Sequence, residues 1–159
     1  MTQIPLLRET PWGLMSVADA HVHFFSHRFF ESLAAQTAGW SLQEIAAKLG
    51  ASLPPEQPEA LAAAWIQELD RHGVARASLI ASVPGDEASV EAAVRAHPHR
   101  FFAYAMANPR TWDAARFSSI HAVCLFPAMH AYSLHEDFVR PVFEWAEQNR
   151  RAVFVHSAC

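Results

Sequence analysis

The pattern of apolar and polar positions after residue 50 alternates between two kinds of segment. In one kind, apolar residues recur every three or four positions, which is typical of an amphipathic helix. Pro58 suits the first turn of the first such helix and Gly73 its end, while Asp86 is a candidate N-cap for the second. Pro141 predicts that the third becomes regular near residue 140. We predict these helices over 57–73, 85–98 and 135–150.

The second kind of segment is a short, nearly continuous apolar run, the pattern of a strand buried on both faces of a parallel sheet. A further run near the start of the chain brings the number of predicted strands to five. Strand, helix and strand at this spacing predict right-handed βαβ units and an α/β fold. The predicted strands cover 16–23, 74–82, 100–107, 119–126 and 152–157.

Three stretches lie outside this alternation. Residues 1–15 are expected to be an N-terminal extension, and residues 16–159 a portion of a single domain. Within it, an excursion at about 24–55 is expected to hold two short helices, at 27–38 and 41–49, before a proline-rich turn. One or two helical turns are expected over 111–118.

Composition narrows the class of protein. The chain has 159 residues, 52% of them hydrophobic, which predicts one packed domain. The net charge is −4 and the basic residues are scattered, so we expect no nucleic-acid partner. No apolar run reaches the ~18–20 residues that span a bilayer, so no membrane association is expected. The two cysteines, Cys124 and Cys159, form no disulfide framework, which favours a cytoplasmic location.

Two histidines two residues apart, in "ADAHVHFF", are the first candidates for chemistry. On a strand, His21 and His23 share one face, and they lie at its C-terminal end, where α/β proteins place their sites. They are either hydrogen-bonded core histidines or two ligands of a divalent ion. His97 and His99 have the same spacing, but they flank a proline between a helix and a strand, where solvated imidazoles are expected.

A third ligand would come from His156, at the end of the fifth predicted strand. In an open flavodoxin-like sheet of order 2-1-3-4-5, strands 1 and 5 lie roughly 14 Å apart, too far to share one ion. In a closed (β/α)₈ barrel the two strands face each other across the mouth. The histidines therefore favour a barrel, whereas the chain length favours the open sheet.

Several motifs in order resemble the amidohydrolase superfamily: "ADAHVHFF", "LDRHGVARASLIAS", "HRFFAYAMANP" and "AVCLFPAMHAYSLHEDFVRPVFEWAEQNRRAVFVHSA". Within that superfamily, the sequence most resembles the amidohydrolase-related branch, which includes aminocarboxymuconate-semialdehyde decarboxylase-like enzymes. It implies a (β/α)₈ TIM barrel of which this chain covers about strands 1–5, and metal ligation by His21, His23 and His156.

The resemblance also indicates which metal subtype to expect. Some branches bridge two metals with a lysine on strand four, but here that strand has no lysine and the only lysine of the chain is Lys48. We therefore expect one divalent ion, with Zn²⁺ as the expected metal. Cys124 is a further candidate ligand, although a cysteine in an apolar strand is more often a small buried hydrophobe. Its neighbours Val123 and Leu125 should point the other way.

The family's remaining site residues, a histidine on strand six and an aspartate general base on strand eight, would lie beyond Cys159. A (β/α)₈ barrel needs at least ~200 residues. A sheet that stops at strand five would leave open edges, which favour aggregation. We therefore expect the barrel to be completed by a further chain segment or by another copy in a homo-oligomer, and these residues alone to be inactive.

Loops after the predicted strands supply candidate substrate contacts: Phe24, Arg28, Arg110 and His130. An arginine there would suit a carboxylate-bearing small molecule through a bidentate pair. Each has an ordinary alternative, as loop packing for the phenylalanine and as solvated surface for the others. The expected activity is hydrolysis by a metal-activated water. Non-oxidative decarboxylation is the alternative within the family, and an inactive or regulatory fragment is the alternative of another class.

Overall fold

The apolar runs of the sequence form a parallel sheet, in a computed structural model that describes residues 6–37 and 39–157. All five predicted strands are confirmed, and their neighbours in the sheet are their neighbours along the chain. A short antiparallel pair of strands precedes them. The strands are β1 (Arg8–Thr10), β2 (Gly13–Met15), β3 (Val17–His23), β4 (Val74–Ala81), β5 (Phe101–Ala107), β6 (Ala122–Leu125) and β7 (Ala152–Val155).

The predicted helices are also confirmed, with ends that differ from the expected ones by a few residues. The 3₁₀ turns Pro109–Thr111 and Ala114–Phe117 take the place of the helical turns expected over 111–118. Another, Asp137–Val139, leads into the last helix, which becomes regular at the residue that Pro141 predicts. The helices are α1 (His27–Gln36), α2 (Leu42–Lys48), α3 (Pro58–Arg71), α4 (Glu87–Ala96) and α5 (Arg140–Gln148).

The side chains of the sheet divide into two layers, as alternation along a strand requires. The larger layer lies against α3, α4 and α5 and includes Leu79, Val123 and Leu125, all fully buried. The smaller layer lies on the other face. Its members are apolar or weakly polar side chains of four strands and the residues next to them: Ile80, Tyr104, Met106, Cys124, Phe126 and Phe154. The sheet thus has a helix-covered outer face and an inner face.

The segment after β3 packs as a separate small cluster. α1 and α2 bury Phe29, Phe30 and Ile45 against each other and against Val83. Ser26 caps α1 by accepting a hydrogen bond from the amide of Phe29, which fixes where that helix begins. The helical excursion therefore lies beside the carboxyl ends of β3 and β4.

Asp86 occupies the predicted N-cap position of α4, but its carboxylate bonds elsewhere. Its Oδ1 accepts a 2.6 Å hydrogen bond from the hydroxyl of Ser26, which joins the start of α4 to the start of α1. Burial raises the pKa of this carboxyl, because the surroundings disfavour its charged form, and the bond from Ser26 opposes the shift.

The two strands at the N-terminus were not predicted. Thr10 and Gly13 end a tight turn in which the Thr10 hydroxyl donates to the Gly13 carbonyl at 2.8 Å, and Gly13 has a positive φ of 99°. Both strands are three residues long and largely exposed. Among the described residues, none of the helices is both long enough and apolar enough to cross a membrane.

Candidate metal centre

His21, His23 and His156 come together at the carboxyl ends of the two edge strands. His21 and His23 lie on β3 and point to the same face, and their Nε2 atoms are 3.1 Å apart. His156 directly follows β7, and its backbone amide donates to the carbonyl of Leu125 at 2.8 Å, which ties it to the sheet. One candidate ligand atom from each histidine lies within 4.8 Å of the others.

This meeting requires a strongly curled sheet. The strand order is β3-β4-β5-β6-β7, so the histidines come from opposite edges, separated by four strand intervals. In a flat sheet those edges would be about 19 Å apart, at ~4.8 Å for each interval. The ligand atoms of the three histidines lie at most 4.8 Å apart, so the sheet must curl strongly around its inner face. It forms a half-barrel. The open-sheet order 2-1-3-4-5 is excluded by the same pairing.

The spacing of the two nitrogens from β3 fits a shared metal ion. Two ligands at ~2.0–2.1 Å from a tetrahedral zinc ion lie about 3.3 Å from each other. The Nε2 atoms of His21 and His23 are separated by 3.1 Å, close to that value. The same distance also suits a hydrogen bond between the two rings. Three imidazoles with one open direction form a donor set that zinc and similar borderline ions accept.

His23 has a polar contact at its second ring nitrogen, and His21 has one at its backbone amide. The Nδ1 atom of His23 is 2.7 Å from the hydroxyl oxygen of Ser82, the residue that follows β4. Asp19 Oδ1 accepts a 3.0 Å hydrogen bond from the backbone amide of His21, and so fixes the bend of the strand before the histidine pair. Ser82 was not predicted as a site residue.

The electrostatics of the cluster favour neutral imidazoles. Burial lowers the pKa of His21, the nearby His156 lowers it further, and the carboxylate of Asp19 raises it. Burial also lowers the pKa of His23, and His21 and His156 add to the effect. Neutral imidazole is the form that ligates metals, because the lone pair is not occupied by a proton.

Aromatic rings surround the three histidines on the inner face. Phe126 stacks on His156 with ring centroids 4.7 Å apart, and Phe154 contacts His21 at 4.8 Å. Phe25 stacks on His23 at 5.5 Å and is 41% exposed. The histidines are therefore held in an apolar setting that is open on the side of Phe25.

Cys124 lies on the same inner face, opposite Phe154 in the pairing of β6 with β7. Its neighbours Val123 and Leu125 point to the outer layer, as predicted. Burial raises the pKa of the thiol to about 12, so it is protonated at neutral pH. In the part of the chain that the structure describes, the group of mutually close ligand atoms contains the three histidines and not this sulfur. Cys159 lies outside the described residues.

Phe24, predicted as a substrate contact, is placed elsewhere. Its side chain is fully buried in the outer layer together with Val22, because successive residues of a strand point to opposite faces. With His23 on the inner face, its neighbour must face the helices. The expectation of a substrate contact at Phe24 is therefore corrected.

The other predicted substrate contacts lie in three different surroundings. Arg28 lines an open cavity of about 480 Å³ beside the starts of α1, α3 and α4. The guanidinium of Arg110 lies over the ring of Phe138, 4.3 Å from its centroid, and donates to the Ala131 carbonyl at 3.3 Å. His130 is near Phe126, with ring centroids 6.4 Å apart, and burial lowers its pKa. Their roles toward a substrate stay predictions.

No protein-family model matches this chain, and no curated protein matches it.

Proposed function

We propose that the chain is part of a metal-dependent hydrolase of the amidohydrolase type, and that His21, His23 and His156 bind one divalent cation, with Zn²⁺ as the expected ion. The observation that carries the proposal is the convergence of three histidines from opposite edges of the sheet, with ligand atoms within 4.8 Å of one another. Hydrogen-bonded core histidines could lie anywhere in the sheet. They would not need to meet from two edges that are separated by four strand intervals, or roughly 19 Å in a flat sheet.

The proposed fold is a (β/α)₈ barrel whose first five strands are β3 to β7. The curled sheet with helices on its outer face supports this proposal, because a barrel has the same two layers. In the described part of the chain, β3 and β7 are each paired along one edge only. Further strands, from another segment or a second copy, would pair with these edges and complete the site.

A bound zinc ion would lower the pKa of water and polarise a substrate carbonyl. The residues of this chain would hold it and shape its surroundings. Phe126 and Phe154 would shield the inner side of the ion from water, and Phe25, which stacks on His23 and is 41% exposed, would lie on the side from which a substrate approaches. No carboxylate of the described residues belongs to the group around the histidines, so the general base would come from the strands that complete the barrel.

Metal content tests the ligand assignment. Protein loaded with zinc and then dialysed should retain one ion per chain, measured by elemental analysis. His21→Ala and His156→Ala should lose it, whereas His99→Ala is a matched control, since His99 has the same spacing from its partner as the β3 pair but is exposed. Retention of zinc by both site variants, or equal loss in His99→Ala, would refute the proposal.

The reaction is tested on protein in which the further segment or the second copy that completes the proposed barrel is present. We expect hydrolysis of small lactones, amides or related carboxylate-bearing compounds, with loss of activity on chelation. Release of CO₂ from an unsaturated or aromatic acid would assign the decarboxylase alternative instead. A chain that binds no zinc and shows no thermal shift with zinc or chelator would favour an inactive or regulatory domain. The cytoplasm remains the location we propose, on the basis of the cysteine usage.

A further inference from the structure

We infer that Ser82 is a positioning residue of the proposed metal centre: it holds His23 in the tautomer whose Nε2 is free to ligate. The inference rests on the proposed function, and it assigns a role to a residue outside the three ligands. The contact that carries it is the 2.7 Å separation between Ser82 Oγ and His23 Nδ1. Such a short distance indicates a hydrogen bond in which one of the two groups supplies the proton.

A second contact favours one direction of this bond. The hydroxyl of Ser82 is also placed to donate to the carbonyl oxygen of Ile80, 3.3 Å away. A hydroxyl has one proton, so a serine that donates to Ile80 accepts from His23, and Nδ1 of His23 then carries a hydrogen. A neutral imidazole has only one ring proton, which leaves the lone pair on Nε2. That atom is the one that faces His21 Nε2 at 3.1 Å.

The sheet makes this arrangement rigid. His23 pairs with Ile80 across β3 and β4, and Ser82 lies two residues farther along the chain, on the same face as Ile80. The Ile80 carbonyl also accepts from the amide of Phe24 at 3.1 Å, which fixes the oxygen that orients the serine. The serine therefore has a defined place, and it acts on the metal only through His23.

The alternative state has a different consequence. With Nδ1 unprotonated, Nε2 of His23 would carry the hydrogen and would donate to His21, and the two rings would form a closed pair that does not bind metal. Removing the hydroxyl of Ser82 removes the preference between these tautomers. Loss of the group that hydrogen-bonds the other ring nitrogen of a ligating histidine typically weakens metal binding by about 10–100-fold. We expect Ser82→Ala to weaken zinc binding within that range.

The test measures zinc affinity by competition with a chromogenic chelator for the wild type, Ser82→Ala and Ser82→Thr. The threonine keeps the hydroxyl and should bind zinc nearly as well as the wild type. Ser78→Ala is the matched control, because Ser78 is a buried serine four residues before Ser82, on β4. Unchanged affinity in Ser82→Ala, a loss of the same size in Ser78→Ala, or failure of the threonine to restore binding would overturn the inference.

A second readout does not depend on zinc. Long-range ¹H–¹⁵N spectra of the metal-free protein report which ring nitrogen carries the proton. We expect the Nδ1–H form for His23 in the wild type and in Ser82→Thr, and a mixture in Ser82→Ala. The Nε2–H form in the wild type would refute the role of Ser82. A wild type that binds no zinc but shows the expected tautomers would refute the proposed function alone.

Discussion

Replacing Phe126 with alanine tests whether the inner layer supports the metal centre. The ring is 4% exposed, shares a cluster with Ile80 and Cys124, and lies over His156 with the ring planes only 22° apart. Truncation of a core phenylalanine to alanine costs about 3–5 kcal/mol of unfolding free energy. The inner layer is small and several of its members are only partly buried, so we expect a loss near 3 kcal/mol at the lower end of that range.

The conservative change separates packing from stacking. Phe126→Leu keeps most of the apolar volume and removes the aromatic contact with His156, which is worth about 0.5–1.5 kcal/mol. Both variants free the imidazole of His156 to turn, so we expect weaker zinc binding in both. Phe143→Ala is the control on α5, where the ring is 40% exposed and the expected loss is below about 1 kcal/mol.

The assay is urea unfolding followed by far-ultraviolet circular dichroism, with the dependence on denaturant required to be equal among the variants. A loss of about 3 kcal/mol corresponds to a fall of roughly 6–12 °C in Tm for a domain of this size. Zinc affinity is measured on the same samples. If Phe126→Ala were no more destabilising than Phe143→Ala, or left zinc affinity unchanged, the inner layer would not position His156.

Three further predictions follow from other contacts. Zinc at 100 times its Kd should raise the unfolding free energy of the wild type by about 2.7 kcal/mol and that of His156→Ala by much less, because the proposed site, with ligands from both edges of the sheet, exists only in the folded state. Equal thermal shifts in the two proteins would contradict this. Because burial raises the pKa of Asp86, the wild type should lose stability as pH rises from the ordinary carboxyl range through that raised pKa. Asp86→Asn cannot ionise, so its stability relative to the wild type should increase between about pH 4 and about pH 7 in urea unfolding; a constant difference would show that the carboxyl does not titrate in this way. The side chain of Arg100 is 17% exposed and donates to the carbonyls of Val74 and Ala75. Arg100→Ala should therefore cost about 3 kcal/mol in unfolding free energy, whereas Arg95→Ala, at an exposed arginine, should cost less than about 0.5 kcal/mol. Similar losses in the two variants would refute the anchoring role of Arg100.

The order of helices and strands could be predicted because each segment carries its own signal. Apolar periodicity marks α3 and α4, and Pro141 marks the start of α5. Whether His21, His23 and His156 lie close together could not be decided from the sequence, because it depends on which of two folds the strands form. The curvature of the sheet arises from the packing of all its strands and not from any one of them. The pairing of β3 to β7 in chain order excludes the flavodoxin-like order and gives a curled half-barrel, while the complete (β/α)₈ barrel stays a proposal.

Other features carry weak or misleading sequence signals. The strands of the N-terminal pair are short and exposed, so they show no alternation of buried positions, and only the turn at Pro11 and Gly13 marks them. Phe24 was predicted to contact substrate as part of the loop after the first predicted strand, but the alternation of the strand continues through it and sends its side chain to the opposite face. Ser82 could have been found from the same alternation, since it shares a face with Ile80, the partner of His23.

The position of the histidine pair on an edge strand would make the proposed metal binding a reporter of how β3 aligns with β4. A slip of β3 by one residue against β4 would reverse every side chain of β3, sending both imidazoles toward the helices and placing Val22 and Phe24 on the inner face. Such a misaligned form could retain nearly all of its helical and strand content. Zinc uptake would therefore count correctly assembled molecules during refolding, where circular dichroism alone would not distinguish them.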